Sequence, residues 1–218
     1  MFIGHFAVGL AAKRWAPRTP LPLLLLAPNL LDLLWPIFLA LGIETVRIDP
    51  GNTAVTPLDL HDYPWSHSLL MAVVWSALAA FFGWMLLRQI KVALILAALV
   101  FSHWILDFVT HRPDMPLWPG STIYVGLGLW NSKIGTVIVE GSLFVAGAFL
   151  YVQATRPRDR IGAFALAGLL GTLVLFYAGN LVGPPPPSVR AIIVATFVLF
   201  AVFLTWAWFI ERHREPAS

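Results

Sequence analysis

The sequence predicts an all-α, polytopic integral membrane protein, with six transmembrane helices and a short N-terminal re-entrant or interfacial helix. Three observations carry this. Of the 218 residues, 59% are hydrophobic and 11% charged, where an ordinary soluble domain carries about 25% charged residues. Mean hydropathy is +0.80, so one soluble core cannot hide the apolar surface and the surplus faces lipid. Six apolar stretches, each near the ~20 residues that cross ~30 Å of hydrocarbon, alternate with charged or Pro/Gly-rich segments. Together these exclude a soluble enzyme, a disordered chain and a nucleic-acid-binding domain.

The apolar run Met1 to Ala12 is too short to span. Its charges, Lys13 and Arg14, follow the run, whereas a signal peptide carries them in front. Pro17-Arg18-Thr19-Pro20 turns the chain into the first span, 21–43. The second, 66–87, starts after Pro64, with Ser66 as a candidate helix cap. The others are 91–111, 133–154, 161–182 and 189–210. Segments 44–65 and 112–132, rich in Asp-Pro-Gly-Asn, Thr-Pro and Trp-Pro-Gly turn signals, read as long loops. Gly-Pro-Pro-Pro-Pro-Ser at 183–188 is a stiff connector. No internal repeat is visible, so residues 1–218 form a single membrane domain. Residues 1–120 carry the His and Asp motifs, and 121–218 add three further helices. Cysteine is absent, which leaves any metal to His, Asp or Glu.

Orientation follows from Lys and Arg. With Lys13, Arg14 and Arg18 inside, ten of the 14 basic residues fall on that side, and Arg47, Arg112, Lys133 and Arg190 fall outside. This predicts an inner-membrane (plasma-membrane) protein of bacterial type with both termini cytoplasmic.

Charged side chains deep in a span are expensive and mark function. Asp32 lies in the first span, His103 and Asp107 in the third, and Glu140 in the fourth. At ~1.5 Å per helical residue, Asp32 and His103 both stand roughly 18 Å from the inner side, Asp107 roughly 24 Å and Glu140 roughly 20 Å. His103, Asp107 and His111 follow at i, i+4 and i+8 on one face. A His and a carboxylate one turn apart can share a metal ion; the alternative is a hydrogen bond that only locks helix packing.

His67, in Trp65-Ser66-His67-Ser68, reads on its own as an interfacial residue at a helix start. The serines lack a Gly-x-Ser-x-Gly elbow, which argues against a serine nucleophile. His5 would reach the first span, somewhat below Asp32, if 17–20 turn the chain back; otherwise it sits on an interfacial helix. His61 falls in the outer loop and His213 on a solvated tail. Glu140 should point into the bundle towards the His103–Asp107 face, with Gly135, Gly141 and Ala146 allowing close helix packing.

Gly4-His5-Phe6-Ala7-Val8-Gly9, Pro28-Asn29-Leu30-Leu31-Asp32, Ser66-His67-Ser68-Leu69-Leu70 and Ser102-His103-Trp104-Ile105-Leu106-Asp107 occur in that order, followed by Asp114-Met115-Pro116-Leu117-Trp118-Pro119. This set resembles the YdjM-like family of membrane-bound metal-dependent hydrolases over roughly residues 1–120. The resemblance implies a metal site of His5, Asp32, His67, His103 and Asp107. Asn29 stands where the family has the first Asp of Pro-Asp-x-Asp, and Asp62 where it has the His of His-Arg-Gly. The expected function is hydrolysis of a lipid-like or other membrane-associated ester or phosphoester. The cofactor is a divalent metal ion, Zn²⁺ by ligand type, with Asp107 or Glu140 as general base. Membrane lipid is the expected partner and nucleic acid is not. The rival readings are a transporter or proton-coupled carrier and a non-catalytic scaffold.

Overall fold

The computed structural model describes residues 1–217. It contains six segments long and apolar enough to cross a membrane, as the sequence predicts. The first of them is broken. Helix α2 (Leu21–Leu26) passes through a 3-10 turn at Ala27–Asn29 into α3 (Leu30–Ala40). The break falls at Pro28-Asn29, where proline supplies no backbone N–H. The second span is preceded by a one-turn helix, α4 (Pro64–His67), and runs as α5 (Leu69–Leu87). Ser68, not Ser66, caps it by accepting from the Met71 amide; the Ser66 hydroxyl is committed elsewhere. Helices α6 (Ile90–Thr110), α7 (Lys133–Ala154), α8 (Arg160–Val182) and α9 (Val189–His213) complete the spans. Ser132, Asp159 and Ser188 cap the last three by accepting from the amides of residues 135, 162 and 191.

The short helix α1 (Ile3–Ala12) lies within the bundle against α2, α6 and α7, with eight of its ten residues buried. It is re-entrant in this sense, not interfacial. Close backbone approach makes room for it. A Cβ on Gly147 would lie 2.3 Å from the Ala7 carbonyl oxygen, and one on Gly9 2.5 Å from that of Leu24. The close approach belongs to Gly147, not to the residues expected from sequence. Gly141 meets nothing within 4 Å and Gly135 faces only Leu129 and Ser132. Outward-facing Leu86, Ile134, Phe164 and Val182 are exposed, as a lipid-facing surface requires.

One end of the bundle carries the basic clusters. Lys13 Nζ donates to Thr19 O (2.7 Å) and Glu211 Oε1 (2.6 Å), which ties the α1–α2 turn to α9. Residues Thr155–Pro157 pair antiparallel with Arg214–Pro216. His213 is not a free tail residue: its Nδ1 lies 2.8 Å from Asp159 Oδ2. The other end is roofed by a hairpin that the turn signals had concealed, β1 (Thr45–Ile48) against β2 (Leu58–Asp62). Val46 and Leu60 face inward onto Trp35, Tyr63 and Met115, the period of two expected of a half-buried strand. Arg112, just past α6, pairs with Asp59 and Asn52 and pins the hairpin down.

Candidate metal centre

Each site residue sits at a helix break or on the face opposite one. Asp32 opens α3 directly after the Pro28-Asn29 break, His67 ends α4, and His103 and Asp107 lie one turn apart on α6. His103 Nδ1–H donates to the Pro28 carbonyl (2.7 Å). His67 Nδ1–H donates to Ser66 Oγ (2.7 Å), and that hydroxyl donates to Glu44 Oε2 (2.7 Å). Glu44 Oε1 accepts from the amides of Trp65 and Ser66, each at 2.8 Å. Burial pushes the Glu44 carboxyl up to about 7 despite these hydrogen bonds. With both Nδ1 atoms committed, both Nε2 lone pairs point inward.

The inward atoms form a compact group. His67 Nε2 and His103 Nε2 are 3.3 Å apart. Asp32 Oδ1 lies 3.5 Å from His67 Nε2 and 3.7 Å from His103 Nε2. Asp107 Oδ2 lies 2.9 Å from His103 Nε2 and 3.8 Å from His67 Nε2. A tetrahedral ion with bonds of about 2.0–2.1 Å places its ligand atoms roughly 3.3–3.4 Å apart. The five separations scatter around that value. Two facing imidazole nitrogens flanked by two carboxylate oxygens also favour a positive centre between them, which a proton or a metal ion supplies. The donor set therefore fits a divalent ion.

His5 joins from the other side of Asp107. Its Nε2 is 3.0 Å from Asp107 Oδ1, and its ring stacks on that of His103 at 3.8 Å and 5°. His5, His103 and Asp107 form one ligand-competent triplet, and Asp32, His67 and His103 another. The Met1 amino group also pairs with Asp107 Oδ1. All five residues marked by the resemblance thus converge.

Glu140 is buried and points inward, as expected, but its hydrogen bonds go to a helix end. Its Oε2 accepts from the amides of Phe2 (2.8 Å) and Gly4 (3.3 Å). It supplies the N-terminal cap that α1 lacks from its own side chains. His61 stays on β2, with Nε2 3.2 Å from Thr45 Oγ1, apart from the cluster.

Sequence reasoning had put His111 on the correct stripe and left it out of the site. The structure brings His111 Nε2 to 3.8 Å from Asp107 Oδ2 and its Nδ1 to 3.0 Å from Asp114 Oδ1. Tyr63 OH donates to the same Asp114 oxygen (2.9 Å). The i+8 spacing was the available signal. The Glu44–Ser66 support was invisible, because Glu44 is 22 residues from Ser66 in the chain. A cavity of about 490 Å³ opens beside the cluster, lined by Asp32, His67, Asp107, His111 and Glu140 together with apolar side chains.

Among known proteins, the family described as YdjM inner membrane protein matches residues 1–182. The likeness therefore runs beyond the expected limit near residue 120, through α7 and α8. No curated protein and no solved structure matches.

Proposed function

The chain belongs to the YdjM inner membrane protein family, and from that premise we propose that this multi-pass membrane protein is a metal-dependent hydrolase of a lipid-like, membrane-embedded ester or phosphoester. The observation that carries this reading is the pair of His67 and His103 Nε2 atoms, 3.3 Å apart, with an Asp32 oxygen and an Asp107 oxygen each within 3.8 Å of both, beside a cavity. A divalent ion held there, Zn²⁺ by its imidazole and carboxylate donors, supplies Lewis acidity to the scissile oxygen and acidifies water.

The residues divide the remaining work. His67 and His103 are held as Nε2 ligands by Ser66 and the Pro28 carbonyl. His5 holds Asp107 through its second oxygen. The Asp32 side chain is 35% exposed, against 5% or less for His67, His103 and Asp107. The accessible side of the group is therefore the side where Asp32 meets the cavity. Glu140 faces the same cavity, and both its hydrogen bonds fall on Oε2. On this reading its Oε1, which carries neither hydrogen bond, takes a proton from the attacking water and returns it to the leaving oxygen. The water oxygen joins the acyl or phosphoryl centre as the ester C–O or P–O bond breaks. A proton relay for a carrier would string its groups along a path; here they converge on one point.

Metal analysis of purified wild type against His103→Ala tests the reading, alongside hydrolysis of lipid esters before and after chelation. The expected result is a bound ion and chelator-sensitive turnover in wild type, with both lost in His103→Ala. Glu140→Gln should keep the ion and lose turnover. A folded wild type that binds no divalent ion refutes the proposal.

A further inference from the structure

The cavity has two ends of different chemistry. Beside Asp32, His67 and Asp107 it is polar. Its α8–α9 side is mainly apolar, with Phe176 on α8 and Leu199 and Phe200 on α9, interrupted by Tyr177, Asn180 and Thr196. Two residues that line the cavity carry a buried donor without a partner: Trp35 Nε1 on α3, one turn from Asp32, and Tyr177 OH on α8. A buried N–H or O–H left unpaired costs free energy that an acceptor oxygen on a bound molecule recovers.

The cavity also meets the lipid-facing surface. Phe176, Asn180 and Ala195 line it and are at the same time exposed. Phe176 stands six residues before the end of α8 and Ala195 six residues into α9, so both lie roughly 9 Å below the outer helix ends. Asp32 stands eight residues before the end of α3, roughly 12 Å down. The α8–α9 seam and the candidate metal centre therefore share one level, in the outer half of the bilayer. From above the cavity is covered by the hairpin, whose Val55, Thr56, Pro57, Leu58 and Leu60 line it and which Arg112 fastens through Asp59 and Asn52. The lining includes three carboxylates and, among the described residues, no Lys or Arg; the Met1 ammonium, which also lines it, is already paired with Asp107, so no free cationic group of the chain is present to pair with a phosphate.

We propose that the substrate is an uncharged bilayer lipid ester that enters sideways through the seam between α8 and α9, with Tyr177 OH and Trp35 N–H donating to its ester oxygens. This rests on the hydrolase reading for its chemistry and on the cavity alone for its route. The chain lies against Phe176, Leu199 and Phe200, and the linkage reaches Asp32. Helix α9, which lies beyond the residues matched by the family, forms half of the seam.

The test uses the full chain in phosphatidylcholine vesicles with a diacylglycerol that carries a photoreactive diazirine on its acyl chain. Mass spectrometry should place the crosslinks on residues 176–181 and 192–200, and Ala195→Trp should reduce them several-fold. A phosphatidate with the same chains should label more weakly. Crosslinks confined to α5 or the outer loops overturn the route, and phosphatidate labelling equal to or above that of diacylglycerol overturns the uncharged class. Because Trp at 195 risks disturbing packing, Ala195→Cys provides a second arm: the chain has no other cysteine, so a bulky thiol reagent marks this site alone. Modification should block the crosslink there and leave it intact on Leu175→Cys, which is 73% exposed and does not line the cavity. Equal effects at both positions overturn the route. Correctly placed crosslinks without metal-dependent turnover would sink the hydrolase reading and keep the seam. Metal-dependent turnover with crosslinks elsewhere would do the reverse.

Discussion

Ser66→Ala isolates the support of one candidate ligand. The Ser66 hydroxyl is fully buried and sits between His67 Nδ1 and Glu44 Oε2, at 2.7 Å from each. Alanine removes both hydrogen bonds and adds no bulk. Glu44 keeps its two backbone amides on Oε1, so the start of α4 stays anchored and the fold survives. His67 loses the acceptor that fixes which nitrogen faces the candidate metal site. Loss of such an outer partner typically costs 10–100-fold in metal affinity, or about 1.4–2.7 kcal/mol. Competition of the purified protein with a chromogenic chelator measures this directly. Ser66→Thr keeps the hydroxyl and should restore most of the affinity. If Ser66→Ala bound metal within twofold of wild type while its thermal midpoint fell, the hydroxyl would be a packing element only, and the reasoning from the ligand's second nitrogen would be wrong.

Gly147→Ala should destabilise by about 1–3 kcal/mol, because the added methyl meets the Ala7 carbonyl at 2.3 Å. Gly141→Ala, in open space on the same helix, should instead gain up to about 1 kcal/mol; thermal unfolding in detergent compares the two. For Glu44, burial raises the folded-state value from 4.5 to about 7. The protonated form is therefore favoured in the fold, and its stabilising contribution is present below about pH 4.5 and lost as pH rises through about 7. Metal-free wild type should thus lose thermal stability over that window more steeply than Glu44→Gln; parallel profiles would show that Glu44 does not titrate there. For orientation, an impermeant thiol reagent applied outside the cell should label Asn52→Cys and spare Arg158→Cys, and the opposite pattern would invert the topology.

The spans were legible because their signal is local. Hydropathy over about 20 residues needs no knowledge of neighbours, and the Lys and Arg clusters that mark one end need only be counted between spans. The stripe of His103, Asp107 and His111 was legible for the same reason, since helical period alone aligns it. Other features depended on contacts between distant segments. Ser66 looked like a cap until Glu44 arrived to take its hydroxyl. Glu140 was expected to face His103 and Asp107, and only the fold showed that α1 presents its first amides to it. Whether α1 lay on the membrane surface or inside the bundle turned on Gly147 meeting the backbone of Ala7. Sequence spacing placed Asp32, His103 and Asp107 at similar depths, but depth along a helix says nothing of the direction in which a side chain points around it. That rotation is fixed by packing across the bundle, and it brought an oxygen of Asp32 and one of Asp107 each within 3.8 Å of both His67 Nε2 and His103 Nε2.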